Sequence, residues 1–340
     1  MNSSPPSPWS KFDTIRIADA AARVKGVVAR TPLMAIDADD PRIELRAKLE
    51  NRQVTGSFKA RGAWNQISQL SAAQRQAGVV CASSGNHGKA LAWAAERAGV
   101  PATIVMPKNS YPNKIEACRA HGAEVVLAET RELADTICAE RVVAGRTLVH
   151  PYDAERTLQG AGTVGLEIAE EWPEVDVVVV CVGGGGLISG TSLALRQRLG
   201  GRVKIYGAEP SGAPSLSRGV AQGAPVHLAA ITSKVQGLTP TYSGQINVDV
   251  CRATLDGIVL LEDAEIFDAQ KRLVALGEIV EPAGAAATAV VFARKLPAVL
   301  FAGHDAEHPL KVAVVVSGGN PDPAQLAGER TELERERLTP

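Results

Sequence analysis

The sequence predicts an α/β protein of two domains, each built as three αβα layers around a mostly parallel β-sheet. Short apolar runs rich in β-branched residues, such as Val177–Val182, alternate with alanine-rich segments of helical length. Strands that are apolar throughout are typical of parallel sheets covered by helices on both faces. More such units follow one another than a single sheet usually holds, which indicates two sheets rather than one.

The predicted elements fall into two series along the chain. The first series has strands at Val79–Cys81, Thr103–Met106, Glu124–Ala128 and Thr147–Val149, separated by helices at His87–Ala98, Asn113–His121 and Arg131–Ala144. The second series has strands at Val177–Val182, Val203–Gly207 and Val312–Val316, with a helix at Leu187–Leu199. No repeat or low-complexity linker marks a boundary between the two series.

Composition argues against several classes of function. The chain of 340 residues carries 36 Lys and Arg against 37 Asp and Glu, a formal net charge of −1, and it has no basic stripe with interleaved aromatics. A nucleic-acid partner therefore has no electrostatic support. The longest apolar runs are far too short to span a bilayer, so no membrane partner is expected.

The termini and the cysteines bear on location. Met1 to Ser10 is rich in serine and proline without the basic and apolar regions of a signal peptide, and we expect a flexible arm. The five cysteines lack Cys-x-x-Cys spacing and lie mostly in apolar patterns, which indicates buried, reduced thiols in a cytoplasmic protein. The charged segment from Ala324 to Pro340 is expected to fray or to form an exposed helix.

Lys59 is the most informative residue in the chain. It follows Gly56, which allows a positive φ, and Ser57, which could cap a helix. Lys59 would then lie in the first helical turn, where the helix dipole disfavours a cation and lowers the pKa of the amine. A nucleophilic lysine requires such a lowered pKa. Taken alone, the segment also allows an ordinary solvated lysine at a helix start.

A run of four glycines separates the predicted strand Val177–Val182 from the following helix: Gly183, Gly184, Gly185 and Gly186. Successive backbone amides at a helix N-terminus bind anions such as a phosphate. The run does not match a P-loop, because Thr191 stands where lysine is required, and a dinucleotide loop would need a glycine at Ile188 or Ser189. The run therefore predicts a phosphate of another kind, with a tight strand-to-helix turn as the alternative.

Three further clusters lie at strand ends or helix starts. Ser83-Ser84-Gly85-Asn86-His87 follows a strand, at the edge where α/β sheets bind ligands, and could hold a substrate carboxylate or merely cap a helix. Ser317 follows the strand Val312–Val316 and could bond a ring nitrogen or a backbone group. Glu281-Pro282 could be an ordinary helix start, since proline is favoured in the first turn.

Together these segments resemble the fold-type II pyridoxal-phosphate (PLP) enzymes, and within them the threonine/serine dehydratase and serine racemase group. The resemblance runs from about Ile15 to Asn320 and adds Arg30-Thr31-Pro32-Leu33 and Ser317-Gly318-Gly319-Asn320 to the motifs above. Each motif is modest alone, but their joint presence in this order is specific. It implies a tryptophan synthase β-like fold, PLP as cofactor, an amino acid as substrate and a homodimer.

Motif placement also predicts the domain division. Residues 1–52 and 151–325 would form a discontinuous large domain that binds PLP. Residues 53–150 would form a small domain carrying the Ser-Ser-Gly-Asn-His loop, and residues 326–340 a charged tail.

The resemblance implies roles for the cofactor-binding residues. Lys59 would bind the cofactor covalently and, once released, act on the Cα proton of the substrate. Phe58 would pack near the ring, Asn86 would bond its 3-hydroxyl, and Ser317 would bond its pyridine nitrogen. The phosphate would lie on the glycine run and Leu187. A neutral hydroxyl beside the ring nitrogen suits β-elimination better than transamination.

On the substrate side, the resemblance places Ser83, Ser84, Asn86 and His87 around the carboxylate. Ser84 has a second implied role, because a serine at this position serves the opposite face of Cα in the racemases of the group, whereas many dehydratases have alanine. Its presence allows racemisation without requiring it.

The implied activity is β-elimination of a β-hydroxy amino acid, such as threonine or serine, to a 2-oxo acid and ammonia. One alternative is racemisation of serine or another amino acid. Another is a dehydratase for a modified substrate, such as 3-hydroxyaspartate or phenylserine. A third is a non-enzymatic effector-binding or scaffold protein, against which the intact Lys59 and phosphate loop argue.

The chain departs from the group at its cation site. There Glu209 would pair with a backbone carbonyl, here that of Ala213, and with an aspartate at the position that Ser215 occupies. Loss of one carboxylate weakens a site for a hard cation such as Mg²⁺ or Ca²⁺, and the sequence leaves a bound cation open.

Three other departures are expected to contact the substrate or a nucleotide effector. They are the segment Gly160-Ala161-Gly162-Thr163, the segment Ser233–Pro240, and Tyr152. They indicate a substrate other than plain serine or threonine.

Overall fold

A computed structural model describes residues 7–322 of the chain. The strands are β1 (Leu33–Ile36), β2 (Ile43–Leu49), β3 (Val79–Ala82), β4 (Ala102–Pro107), β5 (Glu124–Ala128), β6 (Thr147–Leu148), β7 (Val177–Cys181), β8 (Lys204–Pro210), β9 (Gly257–Leu261) and β10 (Leu310–Val316). The helices are α1 (Ile17–Val24), α2 (Lys59–Ile67), α3 (Ala72–Ala77), α4 (Asn86–Ala98), α5 (Pro112–Ala120), α6 (Arg131–Val143), α7 (Glu155–Glu171), α8 (Gly186–Leu199), α9 (Ser215–Gln222), α10 (Gln245–Thr254), α11 (Asp263–Ala275) and α12 (Pro282–Phe292).

The strands form two sheets, and the predicted α/β class is confirmed. The large sheet has the order β1-β2-β10-β7-β8-β9, in which β1 runs antiparallel to β2 and the other pairs are parallel. The small sheet has the order β5-β4-β3-β6 and is parallel throughout. Its strands all come from residues 79–148, inside the predicted small domain, while the domain boundaries themselves remain a prediction.

Helices cover both faces of the small sheet because alternate side chains point to opposite sides. Val79 and Cys81 pack in the core that contains Leu91 of α4. Val80 packs in a second core, which contains Cys138 of α6. This arrangement gives the αβα layers that the continuous apolar strands predict.

In the large sheet, α7 and α8 approach each other closely through small residues. A Cβ on Gly190 would lie 2.3 Å from the carbonyl oxygen of Leu158, so only glycine permits this contact. The contact fixes α8 against α7, and with it the glycine run from which α8 begins.

Three strands, β1, β2 and β9, were not predicted from the sequence pattern. β2 contains three charged residues, yet Arg46 lies over the ring of Trp172 and Lys48 is buried in ion pairs with Glu167 and Glu171. These contacts neutralise the charges that made the segment look exposed. β9 is half-buried, but it contains the continuous apolar run Ile258–Leu261, so the sequence carried a strand signal there that the prediction did not use.

The expectation of a flexible N-terminal arm is wrong for the described part of that segment. A 3₁₀ turn begins at Ser10, and the ring of Trp9 packs beneath the guanidinium of Arg196 at 5.1 Å. Residues 1–6 and the charged tail lie outside the described residues.

All the cysteines are free thiols and buried, as the sequence predicted: Cys81, Cys118, Cys138, Cys181 and Cys251. Within residues 7–322, no helix is both long and apolar enough to cross a membrane. Location in the cytoplasm remains a prediction.

Candidate active site

A cavity of about 400 Å³ lies where loops of the two sheets meet. It opens at the carboxyl ends of β3, β7 and β10, the edge at which α/β sheets bind ligands. The structure brings together all the predicted cofactor and substrate residues in its lining: Phe58, Lys59, Ser83, Ser84, Asn86, His87, Gly183, Gly184, Gly185, Gly186, Leu187 and Ser317. The volume falls within the range of about 300–1,000 Å³ that is usual for small-molecule sites.

Lys59 is the first residue of α2, as the sequence predicted. Its Nζ donates a hydrogen bond of 2.7 Å to the carbonyl of Pro151 and lies 5.0 Å from the centre of the Phe58 ring. Burial lowers the pKa of the amine to about 8, with Glu281 among the neighbours that oppose this shift. The predicted direction is confirmed, and its main cause is burial.

The expected capping role of Ser57 is wrong. Phe58 occupies the N-cap position of α2, and its side chain makes no capping hydrogen bond. Ser57 instead forms an isolated β-bridge with Gly318, which ties the Lys59 segment to the end of β10. This link places Lys59 beside Ser317.

The glycine run fits a phosphate. Gly185 has a φ of 96°, a left-handed conformation that favours glycine, and α8 begins at the next residue. Within residues 7–322, the backbone amides of Gly183, Gly184 and Gly185 donate no hydrogen bond to another group. Free amides at a helix N-terminus are the donors that bind an anion.

In the loop after β3, some polar side chains stabilise the local structure and others are available to the cavity. The Ser83 hydroxyl accepts the N–H of Gly88 at 3.2 Å and so stabilises the turn into α4. Ser84 is exposed, and its hydroxyl has no hydrogen-bond partner among the described residues. The Asn86 amide donates to Glu281, and its oxygen accepts from Asn320 at 2.8 Å.

His87 is buried at the base of this loop. Its Nε2 donates a hydrogen bond of 2.7 Å to the carbonyl of Val149. Burial lowers the pKa of the imidazole to about 3, so the ring is neutral at physiological pH. It cannot attract a carboxylate as a cation, and its role toward the substrate remains a prediction.

Ser317 lies at the end of β10 and is 3% exposed. Its hydroxyl donates a long hydrogen bond of 3.4 Å to the carbonyl of Ala283. Ser317 lines the cavity, where the family resemblance implies a partner for the ring nitrogen of the cofactor.

Glu281 is a cavity residue to which the sequence argument gave no chemical role. It occupies the N-cap position of α12, which confirms the predicted helix start, and Pro282 is the first helical residue. Burial raises the pKa of its carboxyl, which has no ion-pair partner within residues 7–322. The sequence did contain a signal for the burial of Glu281. The segment that forms α12 is apolar around its whole surface, and such a helix is buried together with its first turn.

The cavity mouth contains further polar residues that the sequence argument missed. The Gln236 amide donates to the hydroxyl of Tyr111 at 3.1 Å, which joins the two sides of the cavity. Lys114 and Arg131 also line it.

Of the three departures, Tyr152 and residues 236–240 line the cavity. The expectation for Gly160-Ala161-Gly162-Thr163 is wrong, because this segment is buried in α7. A Cβ on Gly160 would lie 2.5 Å from the carbonyl oxygen of Arg61, so the segment packs against α2.

The comparisons agree with this geometry. The sequence model of the family described as "Pyridoxal-phosphate dependent enzyme" matches residues 24–318. The chain belongs to this family. PLP as cofactor is therefore confirmed, and the orphaned glycine amides and the buried amine of Lys59 are the donor and the nucleophile that it needs.

Individual relatives place the chain within one group of this family, but they include both dehydratases and racemases. The chain is 38% identical to the phenylserine dehydratase of Ralstonia pickettii over 322 residues, 93% of this chain and 95% of that protein. It is 35% identical to a serine racemase of Oryza sativa subsp. indica over 315 residues, 91% of each. The protein is a PLP-dependent enzyme of the dehydratase and racemase family.

The fold is that of the same family. The structure superposes on threonine deaminase isoform 2 of Solanum lycopersicum with a TM-score of 0.86 at 30% identity, covering 97% of this chain and 96% of that one. The predicted tryptophan synthase β-like fold is confirmed.

Proposed function

We propose that the protein is a PLP-dependent ammonia-lyase that converts a β-hydroxy amino acid to a 2-oxo acid and ammonia. The observation that carries the proposal is a difference between two residues of the cavity lining. Lys59 presents a buried amine whose pKa is lowered to about 8. Ser84 presents an exposed hydroxyl with no partner among the described residues to activate it. One effective base suits elimination.

Bound PLP supplies a ring that withdraws electrons and stabilises negative charge at Cα. Lys59 would hold the cofactor through its Nζ, and the neutral amine would accept the Cα proton of the substrate. An amine with a pKa of about 8 has a neutral fraction of about one-tenth at pH 7 and about one-half at pH 8, so it can act as this base. The carbonyl of Pro151, 2.7 Å from Nζ, holds the amine in place.

Other residues would position the reactants. The amides of Gly183, Gly184 and Gly185 would bind the phosphate, and Ser317 would contact the ring nitrogen. Asn86, fixed by Glu281 and Asn320, would contact the ring hydroxyl. Loss of the β-hydroxyl as water leaves an enamine, which hydrolyses to the 2-oxo acid and ammonia.

The shape of the cavity mouth bears on the substrate. Tyr111 and Tyr152 both line the cavity, and aromatic side chains pack well against another aromatic ring. Together with the similarity to a phenylserine dehydratase, these rings favour a β-hydroxy amino acid with an aromatic side chain over serine.

Racemisation is the second candidate. It is supported by the position of Ser84 in the cavity lining and by the similarity to serine racemases. A homodimer also remains a prediction from the family resemblance.

One assay separates the candidates. Purified protein loaded with PLP is incubated with L-serine, L-threonine, 3-hydroxyaspartate and phenylserine, and 2-oxo acid, ammonia and D-amino acid are measured. We expect oxo acid and ammonia in equal amounts, with phenylserine turned over fastest. Formation of D-amino acid without oxo acid would establish a racemase. Neither product from any substrate would reject both activities.

A further inference from the structure

Glu209 heads a buried cluster outside the cavity, at the position where the family resemblance predicts a divalent cation. Its carboxylate lies at the end of β8 and is 0% exposed. One oxygen accepts the N–H of Leu216 at 2.7 Å, and the other accepts the N–H of Ser217 at 3.0 Å. Both amides belong to the first turn of α9. Each carboxylate oxygen therefore already has a partner at a helix N-terminus, where the dipole stabilises negative charge.

The other two expected ligands are also engaged by the protein. The carbonyl of Ala213 accepts the N–H of Ser215 at 2.9 Å. The Ser215 hydroxyl lies 2.9 Å from the hydroxyl of Ser243. Ala213, Ser215 and Ser243 are each 0% exposed. A cation would have to enter a fully buried site in which each of these oxygens already has a hydrogen-bond partner.

The chemistry of this donor set does not suit a hard cation. Ca²⁺ takes about six to eight oxygen ligands and Mg²⁺ about six in octahedral geometry, usually with carboxylates among them. Glu209 is the single carboxylate among the expected ligands, and no group of three or more His, Cys, Asp or Glu side chains suited to a metal occurs in residues 7–322. The residues present do not fit the cation.

The same cluster reaches the glycine run. The Ser243 hydroxyl donates to the carbonyl of Gly183 at 3.4 Å, and the N–H of Gly244 donates to the carbonyl of Gly184, also at 3.4 Å. Since Ser243 uses its proton toward Gly183, Ser215 is the donor in the hydroxyl pair. A chain of hydrogen bonds thus runs from the start of α9 to the loop that would hold the phosphate.

We infer that this protein holds its phosphate loop without a divalent cation. The N-terminus of α9 binds the Glu209 carboxylate, and the Ser215–Ser243 hydroxyl pair connects that helix to Gly183. The inference depends on PLP binding by the glycine run and not on which amino acid is the substrate.

The first test uses the wild-type protein loaded with PLP. It is stripped with a chelator and then titrated with Mg²⁺ or Ca²⁺ while the melting temperature and the bound metal are measured. We expect no bound metal after purification and no saturable change in melting temperature. Metal bound in one-to-one ratio, or a saturable rise in melting temperature, would overturn the inference.

A substitution that restores the missing ligand sharpens this test. Ser215→Asp places a second carboxylate beside Glu209 and removes the donor to Ser243. We expect a lower melting temperature in chelator than that of the wild type, with saturable recovery on adding Mg²⁺ or Ca²⁺. Recovery in the variant and none in the wild type supports the inference, whereas an equal saturable recovery in both rejects it.

The connection to the loop is tested by Ser243→Ala, which removes the hydroxyl that joins Ser215 to the carbonyl of Gly183. Loss of one buried hydrogen bond is expected to raise the apparent dissociation constant for PLP by about fivefold, read from the visible absorbance of the bound cofactor. Ser192→Ala is the matched control. Ser192 is equally buried, and its hydroxyl lies 2.8 Å from that of Thr254, in a pair that does not contact the loop. Equal PLP affinities for the two variants would contradict the proposed connection.

Discussion

Lys59 and Arg61 lie two residues apart at the start of α2, and they differ in whether a buried charge is paired. Arg61 is 0% exposed, and its guanidinium contacts Glu50 at 2.7 Å and Glu167 at 2.6 Å. Lys59 has no carboxylate within ion-pair distance among the described residues and contacts a carbonyl instead. One turn of helix therefore carries a compensated cation and an uncompensated one.

The pKa values follow this difference. Burial penalises the charged form of both side chains, but the two carboxylates outweigh it at Arg61 and raise its pKa. Arg61 in turn holds the pKa of Glu50 below its usual range despite burial. At Lys59 burial prevails and lowers the pKa to about 8. The paired charges anchor the helix, and the unpaired amine at its start is free for chemistry.

The largest expected effect comes from removing the unpaired amine. Lys59→Ala should abolish the visible absorbance of the bound cofactor and reduce turnover by at least about 10³-fold, because it removes both the covalent anchor and the base. Since Lys59 makes no ion pair, the free energy of unfolding of the apoprotein should change little. Absorbance spectra, product assays and denaturant titration measure the three quantities.

Lys25→Ala is the control for this variant. Lys25 is an exposed lysine after α1, far from the cavity lining, and its loss should leave spectrum and turnover unchanged. A yellow, active Lys59→Ala protein would reject the assignment of Lys59.

The paired cation should behave in the opposite way. Arg61→Met leaves Glu50 buried without an ion-pair partner and Glu167 with Lys48 alone, and breaking such a buried pair costs about 3–5 kcal/mol. Urea titration of the free energy of unfolding measures the loss. Arg61→Lys keeps the charge but loses the two-pronged contact, so a smaller loss is expected. If Arg61→Met is as stable as wild type, the cluster does not anchor α2.

The strands of both sheets could be predicted wherever both faces are apolar. Val177–Val182 and Val79–Cys81 carry that signal without ambiguity, since neither face meets water. β2 could not be predicted from the pattern because Lys48 and Arg46 are charged, and only the folded chain brings Glu171 and Trp172 to them. The signal for β2 is tertiary.

The residues of the site likewise differ in whether their signal is local or tertiary. The glycine run and Lys59 were predictable because their backbone and side-chain chemistry are local. The chemical role of Glu281 was not predictable, because the apolar helix α12 indicates only that this acid is buried, and its contact with Asn86 and the cavity exists only in the folded chain. The hydrogen-bond partners of Glu209 were likewise not predictable, because they are the backbone amides of Leu216 and Ser217, which carry no sequence signal.

A smaller effect is expected at the edge of the paired cluster. The Thr31 hydroxyl donates to Glu50 at 2.5 Å, and Thr31→Val removes this bond while keeping the side-chain shape. We expect a loss of about 1.5 kcal/mol in the free energy of unfolding, because a buried charged acceptor loses one donor and keeps Arg61. Thr136→Val, at an exposed threonine of α6, should change it by less than about 0.5 kcal/mol. Equal values for the two would contradict the contribution of the Thr31 hydroxyl.

The smallest effect concerns the unpaired amine and its nearest acid. The apoprotein binds PLP through the neutral form of Lys59, so the rate at which the visible absorbance appears should rise with pH around a midpoint of about 8. Glu281, where ionised, favours the protonated amine and raises that pKa. Glu281→Gln keeps an oxygen that can accept from Asn86 but removes the negative charge. The midpoint should therefore move to lower pH, by less than about one unit, which corresponds to about 1.4 kcal/mol.

A stopped-flow series across pH measures the shift. A midpoint that stays in place or rises would show that Glu281 does not act on Lys59, and that burial alone distinguishes this amine from the paired guanidinium of Arg61.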